Sequence, residues 1–153
     1  MYFTPFRLNF FSFFKLPSAW WCGVRVTKIE ERYCETKVVQ RWINQNPFNS
    51  MFWAVQGMAA ELATGVLVMK AIKEHNRKVS MLVLNNRANF SKKARGKISF
   101  SCDAGTIIDE SFNQLIKSKE PQTFWLTSKG IDQEDNVVST FEFEWTVKLK
   151  YKL

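Results

Sequence analysis

Apolar and polar positions alternate without a break at the end of the chain: Phe141, Phe143, Trp145, Val147, Leu149, Tyr151 and Leu153 against Glu142, Glu144, Thr146, Lys148, Lys150 and Lys152. A period of two puts one set on each face of a β-strand, so this segment predicts a strand with one face on a core and the other in water. Shorter runs predict further strands: Val24, Val26 and Ile29, then Val38, Val39 and Trp42 beyond the polar Glu30-Glu31-Arg32 turn, then Met81 to Leu84, Ile98 to Cys102, and Gln122 to Ser128. Lys129-Gly130 with Asp132 to Asn136 supplies a hairpin turn before the last strand.

Helical periods interrupt these strands. Ile108, Phe112 and Leu115 fall at i, i+4 and i+7 within Asp103 to Lys119. Residues 51 to 74 are apolar on nearly every side until Lys70, with Ser50 placed to cap the start and His75-Asn76 to end it. A helix that is apolar all round is buried all round. At the front of the chain, Thr4 as cap, Pro5 at the first helical position, Phe3, Phe6, Phe10 and Phe13 at helical spacing and Pro17 as a stop predict a short amphipathic helix over about 4–15. Its apolar face is expected to pack across the core or a partner, with association to a membrane surface as the alternative. The sum is an α+β chain, a single domain over 1–153 in which about six antiparallel strands wrap one long central helix.

Composition agrees with a folded chain. Of 153 residues, 46% are hydrophobic and 24% charged, which is too apolar for disorder. The apolar stretch 51–69 is nearly long enough to cross a bilayer, but Glu61 at its centre argues for a buried helix and against a membrane span. The Phe-rich front is interrupted by Arg7 and Asn9 and followed by no small-residue cleavage site, so it does not read as a secretory signal. Cys22, Cys34 and Cys102 make neither a disulfide framework nor a zinc motif, and a reducing, cytoplasmic setting with no metal is the expectation. A net charge of +8 predicts an anionic partner: nucleic acid, a membrane surface or a phosphorylated small molecule. No nucleic-acid recognition motif accompanies it, so no nucleic acid is expected.

The element order, and residues within it, resemble the hot-dog fold of acyl-CoA thioesterases, most closely the phenylacetyl-CoA thioesterase type and its relatives. That type carries an Asn, a His-Gly-Gly six residues later, and an Asp followed by small residues nine residues after the His. Here Asn46 stands six before Phe52 and Glu61 nine after it, while the His-Gly-Gly is Phe52-Trp53-Ala54. Asn89-Phe90-Ser91-Lys92-Lys93-Ala94-Arg95-Gly96 is similar to the family's segment of asparagine, aromatic and then Ala-Arg-Gly, where coenzyme A phosphates are met.

The resemblance implies thioester hydrolysis, with coenzyme A present only as part of the substrate and no other cofactor, in a homodimer or dimer of dimers whose site is shared between subunits. Glu61, the only carboxylate in the apolar helix, is the candidate base or nucleophile, with Asn46 assisting; the neutral reading makes Glu61 a satisfied buried group and Asn46-Pro47 a turn opener. Gly57 and Gly65 share the face of Glu61 and admit either a ligand or close packing. Backbone N–H groups of Trp53 and Ala54 at the helix start are the candidate oxyanion donors. Phe52, Gln56 and Asn89 are candidate substrate contacts, and Arg87, Lys92, Lys93 and Arg95 either neutralise phosphates or protect a strand edge. Phe52 and Trp53 stand where the family has His and Gly, and the alternative they suit is a protein that binds an acyl or aryl ligand without hydrolysing it.

Overall fold

The computed structural model describes residues 3–150, so the expected inward positions Tyr151 and Leu153 lie outside the described residues. In chain order the elements are helices α1 (Pro5–Lys15) and α2 (Pro17–Trp21), strands β1 (Arg25–Ile29) and β2 (Cys34–Val39), helix α3 (Trp53–Glu74), strands β3 (Val79–Phe90) and β4 (Lys97–Cys102), helix α4 (Gly105–Ser118), and strands β5 (Gln122–Ile131) and β6 (Val137–Leu149). The strands form one sheet in the order β1-β2-β4-β5-β6-β3, and every neighbouring pair is antiparallel. With the long α3 packed on one face, this is the hot-dog fold.

Alternation in β6 sets the register. Phe141, Phe143, Trp145 and Val147 are buried toward α3, opposite Ser128, Leu126, Phe124 and Gln122 of β5, while Glu142, Glu144 and Thr146 face away. Helix α3 lies close because its facing residues are small: a Cβ on Gly57 would sit 3.4 Å from the Phe141 ring, and one on Gly65 3.4 Å from the Trp145 ring. Buried hydrogen bonds tie helix to sheet. Thr36 Oγ1 donates to Ala59 O at 2.8 Å, Trp145 Nε1 to Thr64 Oγ1 at 3.0 Å, and Ser139 Oγ to Gln56 Oε1 at 2.8 Å.

Several boundaries move from their predicted places. Strand β3 runs to Phe90 instead of ending near Leu84, because it pairs with β6 along its whole length, and the polar residues of the basic stretch occupy its outward positions. Helix α3 begins at Trp53 with Phe52 as an extended N-cap and no side-chain cap; Ser50 does not cap it. The reason lies in the pairing of the approach: Met51 N donates to Ala94 O and Phe52 N to Asn44 O, which holds this segment extended. Trp42 leaves the second strand for a 3₁₀ turn over Trp42–Asn44 and is 85% exposed.

The largest departure is α1. Thr4 caps it as expected, accepting from Arg7 N at 3.3 Å. The face it docks, however, is Leu8 and Ser12, and Phe6, Phe10 and Phe14 point outward. Asn9 sets the rotation: its Nδ2 donates to Val26 O and its Oδ1 accepts from Val26 N, each at 2.8 Å. The side-chain amide thus satisfies the outward backbone N–H and C=O of Val26 as a neighbouring strand would, and blocks that sheet edge at this point.

Candidate functional site

The loop from Gln45 to Ser50 is organised by Asn46. Its Oδ1 accepts from Phe48 N at 2.9 Å and Ser50 N at 3.3 Å, and its Nδ2 donates to Ser50 Oγ at 2.9 Å, an Asx-type turn that lets Asn49 adopt φ of 55°. Asn46 therefore shapes the loop, and its amide is engaged within it. Between this loop, the start of α3 and the β3–β4 connection lies a cleft of about 770 Å³. Phe48, Met51, Phe52, Trp53 and Phe90 give it apolar walls, and Asn46, Gln56, Lys92 and Lys93 its polar points. Phe52 and Trp53 are half-exposed at the rim, with ring centroids 6.0 Å apart, and Trp53 does not fill the space. Gln56 is buried and donates to Met51 O at 3.3 Å while accepting from Ser139, so it braces the floor.

The N–H groups of Trp53 and Ala54 donate to no described residue, whereas Val55 N and Gln56 N already turn back to Phe52 O. Two unengaged amides thus stand in the first turn at the cleft, where the helix dipole favours negative charge.

Glu61 lies about two turns further along α3 and does not line the cleft. Its carboxylate is half-buried and has no hydrogen bond or ion pair with any described residue; its Oε1 lies 3.6 Å from where a Cβ of Gly65 would be, beside the Trp145 ring. Burial without a compensating donor among the described residues raises its pKa above the ordinary carboxylate value. Gly57 and Gly65, on the same helical face, accommodate Phe141 and Trp145, so close internal packing accounts for both glycines.

A family model described as a domain of unknown function, DUF4442, matches residues 7–147. The chain belongs to the DUF4442 family. Among solved structures it is similar to protein PA5026 of Pseudomonas aeruginosa, a probable thioesterase, at 17% identity over 96% of this chain and 97% of that one, with a TM-score of 0.82. A protein of unknown function from Chlorobaculum tepidum matches at 15% identity, 96% and 98% coverage and a TM-score of 0.81. Thioesterase HI1161 of Haemophilus influenzae matches at 14% identity, 99% and 95% coverage and a TM-score of 0.72. At such identities the likeness is one of fold. No curated protein matches the sequence.

In this DUF4442 chain the predicted basic group is divided. Arg87 and Asn89 pair in register with Glu142 and Thr140, on the sheet face turned away from α3, and are not brought to the cleft. Arg87 makes a two-pronged ion pair with Glu142 at 2.6 and 3.1 Å and lies over the Trp125 ring. Lys92 reaches the cleft, but its ammonium is 2.9 Å from Asp132, whose carboxyl it holds well below the usual range. Lys93 lies 5.9 Å over the Phe48 ring, and Arg95 has no partner among the described residues. Lys93 and Arg95 are thus the cations of the group without an ion pair among the described residues; Lys93 lines the cleft and Arg95 does not, lining instead a neighbouring depression with Asp132 and Glu134. Phe48 and Met51 join the cleft walls without a motif to mark them; an aromatic residue within the otherwise polar loop 44–50 is the signal for Phe48, and Phe90 stands in the segment beginning at Asn89.

Proposed function

We propose that the chain is an acyl-CoA thioesterase-like hydrolase, and the observation that carries this reading is the half-buried carboxylate of Glu61 in the apolar central helix, which has no partner among the described residues. Buried carboxylates are ordinarily hydrogen-bonded or paired, because burial of an uncompensated charge is costly. One left without a donor is available to take a proton from water. In the reaction, Glu61 accepts a proton as the water oxygen bonds to the thioester carbon. The first-turn amides of Trp53 and Ala54 hold the oxyanion, and the carbon–sulfur bond then breaks with the thiolate taking a proton. The acyl or aryl group occupies the cleft walled by Phe48, Phe52 and Trp53, Lys93 at its margin receives coenzyme A phosphate, and Arg95, outside the cleft in the adjoining depression that Lys93 also lines, is the next cation along the chain.

Trp53 and Glu61 are eight residues apart, about 12 Å along the helix axis, and the cleft stops short of the carboxylate. A homodimer that sets Glu61 of one chain beside the helix start of the other closes this gap. Strand β3 suits it: one side pairs with β6, the other is an uncovered sheet edge, and Leu82 is 60% exposed.

The test is hydrolysis of a panel of acyl- and aryl-CoA thioesters. Wild-type turnover should fall about a hundredfold or more in Glu61→Ala, and should rise with pH along an acid limb displaced above the ordinary carboxylate range. Turnover unchanged by the substitution removes Glu61 from the chemistry. The aromatic rim and the internally engaged Asn46 favour one further reading, a protein that binds acyl or aryl ligands without hydrolysis. Calorimetric binding of a thioester that is not turned over identifies it.

A further inference from the structure

Helix α1 is amphipathic in the reverse of the usual sense. The face it packs inward presents Leu8, Asn9 and Ser12, and the face it turns to solvent presents Phe6, Phe10 and Phe14, 81%, 60% and 61% exposed. Spacing of four residues lines these rings into one stripe along the helix. The stripe does not end with the helix: Phe14 packs edge-on against Phe13 at 4.8 Å and Phe13 against Trp20 of α2 at 5.3 Å, with Trp21 exposed beside it. The hydrogen bonds of Asn9 to Val26 lock this orientation, so the rings cannot rotate inward without breaking them.

The charged side chains that line the groove of the stripe are basic. Arg7 and Lys15 line the same shallow groove as Phe6, Phe10 and Phe14, and the Arg25 guanidinium lies 3.4 Å over the Trp20 ring. No Asp or Glu occurs in the chain before Glu30. A second copy placed against this face would set cations against cations, which disfavours self-association there. An acyl layer beneath anionic headgroups complements both features: aromatic rings settle at the headgroup boundary while guanidinium and ammonium groups meet phosphate.

We propose that the outward face of α1, extended by Trp20 and Trp21, is a docking surface for an anionic lipid bilayer, on which α1 lies in the plane of the interface. This does not depend on thioester hydrolysis, and its test reads no turnover. The full chain is sedimented with vesicles of phosphatidylcholine alone and of phosphatidylcholine mixed with phosphatidylglycerol. Wild type should co-sediment with the mixed vesicles, less so in high salt. The triple variant Phe6→Ser/Phe10→Ser/Phe14→Ser should bind at least about tenfold more weakly with its oligomeric state unchanged. Arg7→Glu/Lys15→Glu, which keeps the stripe, should lose about tenfold or more toward the mixed vesicles only. The proposal is overturned if wild type stays in the supernatant, if the triple variant binds as wild type does, or if that variant instead shifts the oligomeric state, which would make the stripe a protein interface.

Discussion

At the residue scale, Glu61 sets stability against availability for chemistry. Burial raises its pKa, so the folded chain holds this proton more tightly than the unfolded chain does. The contribution to stability is therefore fully present below the ordinary value of 4.5 and is lost as pH rises through the raised one. At neutral pH the charge is a cost that a neutral isostere removes. Glu61→Gln should be more stable than wild type at pH 7 by on the order of 1 kcal/mol, with the difference vanishing below pH 4, as read by urea unfolding at the two pH values. A variant less stable at pH 7 would mean that the carboxylate has a donor. The cysteines give a second residue-level test. Cys34 and Cys102 stand opposite each other on β2 and β4, both buried, with thiols pushed up by desolvation to about 12 and about 11. Since the thiolate is the reacting form, iodoacetamide at pH 8 should label the partly exposed Cys22 in the native chain and reach the other two only on unfolding, by mass spectrometry of the digested protein.

At the element scale, glycine positions separate close packing from conformational need. A Cβ at Gly130 of β5 would lie 2.5 Å from Cε1 of the fully buried Phe100, whose ring has no free volume to move into, so Gly130→Ala should destabilise by about 2 kcal/mol. At Gly57 the nearest ring atom would be 3.4 Å away, an ordinary contact, and Ala is the better helix former, so Gly57→Ala should raise stability by about 0.5–1 kcal/mol. Thermal unfolding of the pair checks both signs. The elements themselves were legible wherever one period dominated: β6 from its alternation, α4 from Ile108, Phe112 and Leu115, α3 from its uniform apolarity. They were misjudged where tertiary bonds decided. Nothing local to Phe6 or Phe10 tells that Asn9 bonds a strand across the fold and turns the aromatic face outward. Likewise, whether Ser50 caps a helix or closes a loop depends on Ala94 and Asn44, far off in sequence or already committed elsewhere.

At the scale of the whole molecule, the two edges of the sheet are treated differently. Edge β1 is met at Val26 by Asn9 of α1, while β3 has no strand on its outer side among the described residues. An uncovered edge of this length invites pairing with a second chain. The candidate site asks for the same thing, since its amides and its carboxylate lie on one helix but not around one space. Sequence spacing placed Asn46, Trp53 and Glu61 in order along the chain, yet spacing cannot tell whether they meet in cis or across a dimer. Two inactive variants can. Trp53 is the first residue of α3, after an extended Phe52 with φ −61° and ψ 135°, so Trp53→Pro is compatible with the backbone and deletes one N–H donor. In a site shared between subunits, a heterodimer of Trp53→Pro and Glu61→Ala chains contains one site with both defects and one with neither. Random reassociation of an equal mixture makes half the dimers mixed, and the mixture should recover about a quarter of wild-type turnover although each parent has little. If the mixture stays as inactive as its components while chain exchange is verified by mass, the amides and the carboxylate of each site come from one chain, and the dimer leaves the chemistry of Glu61 untouched.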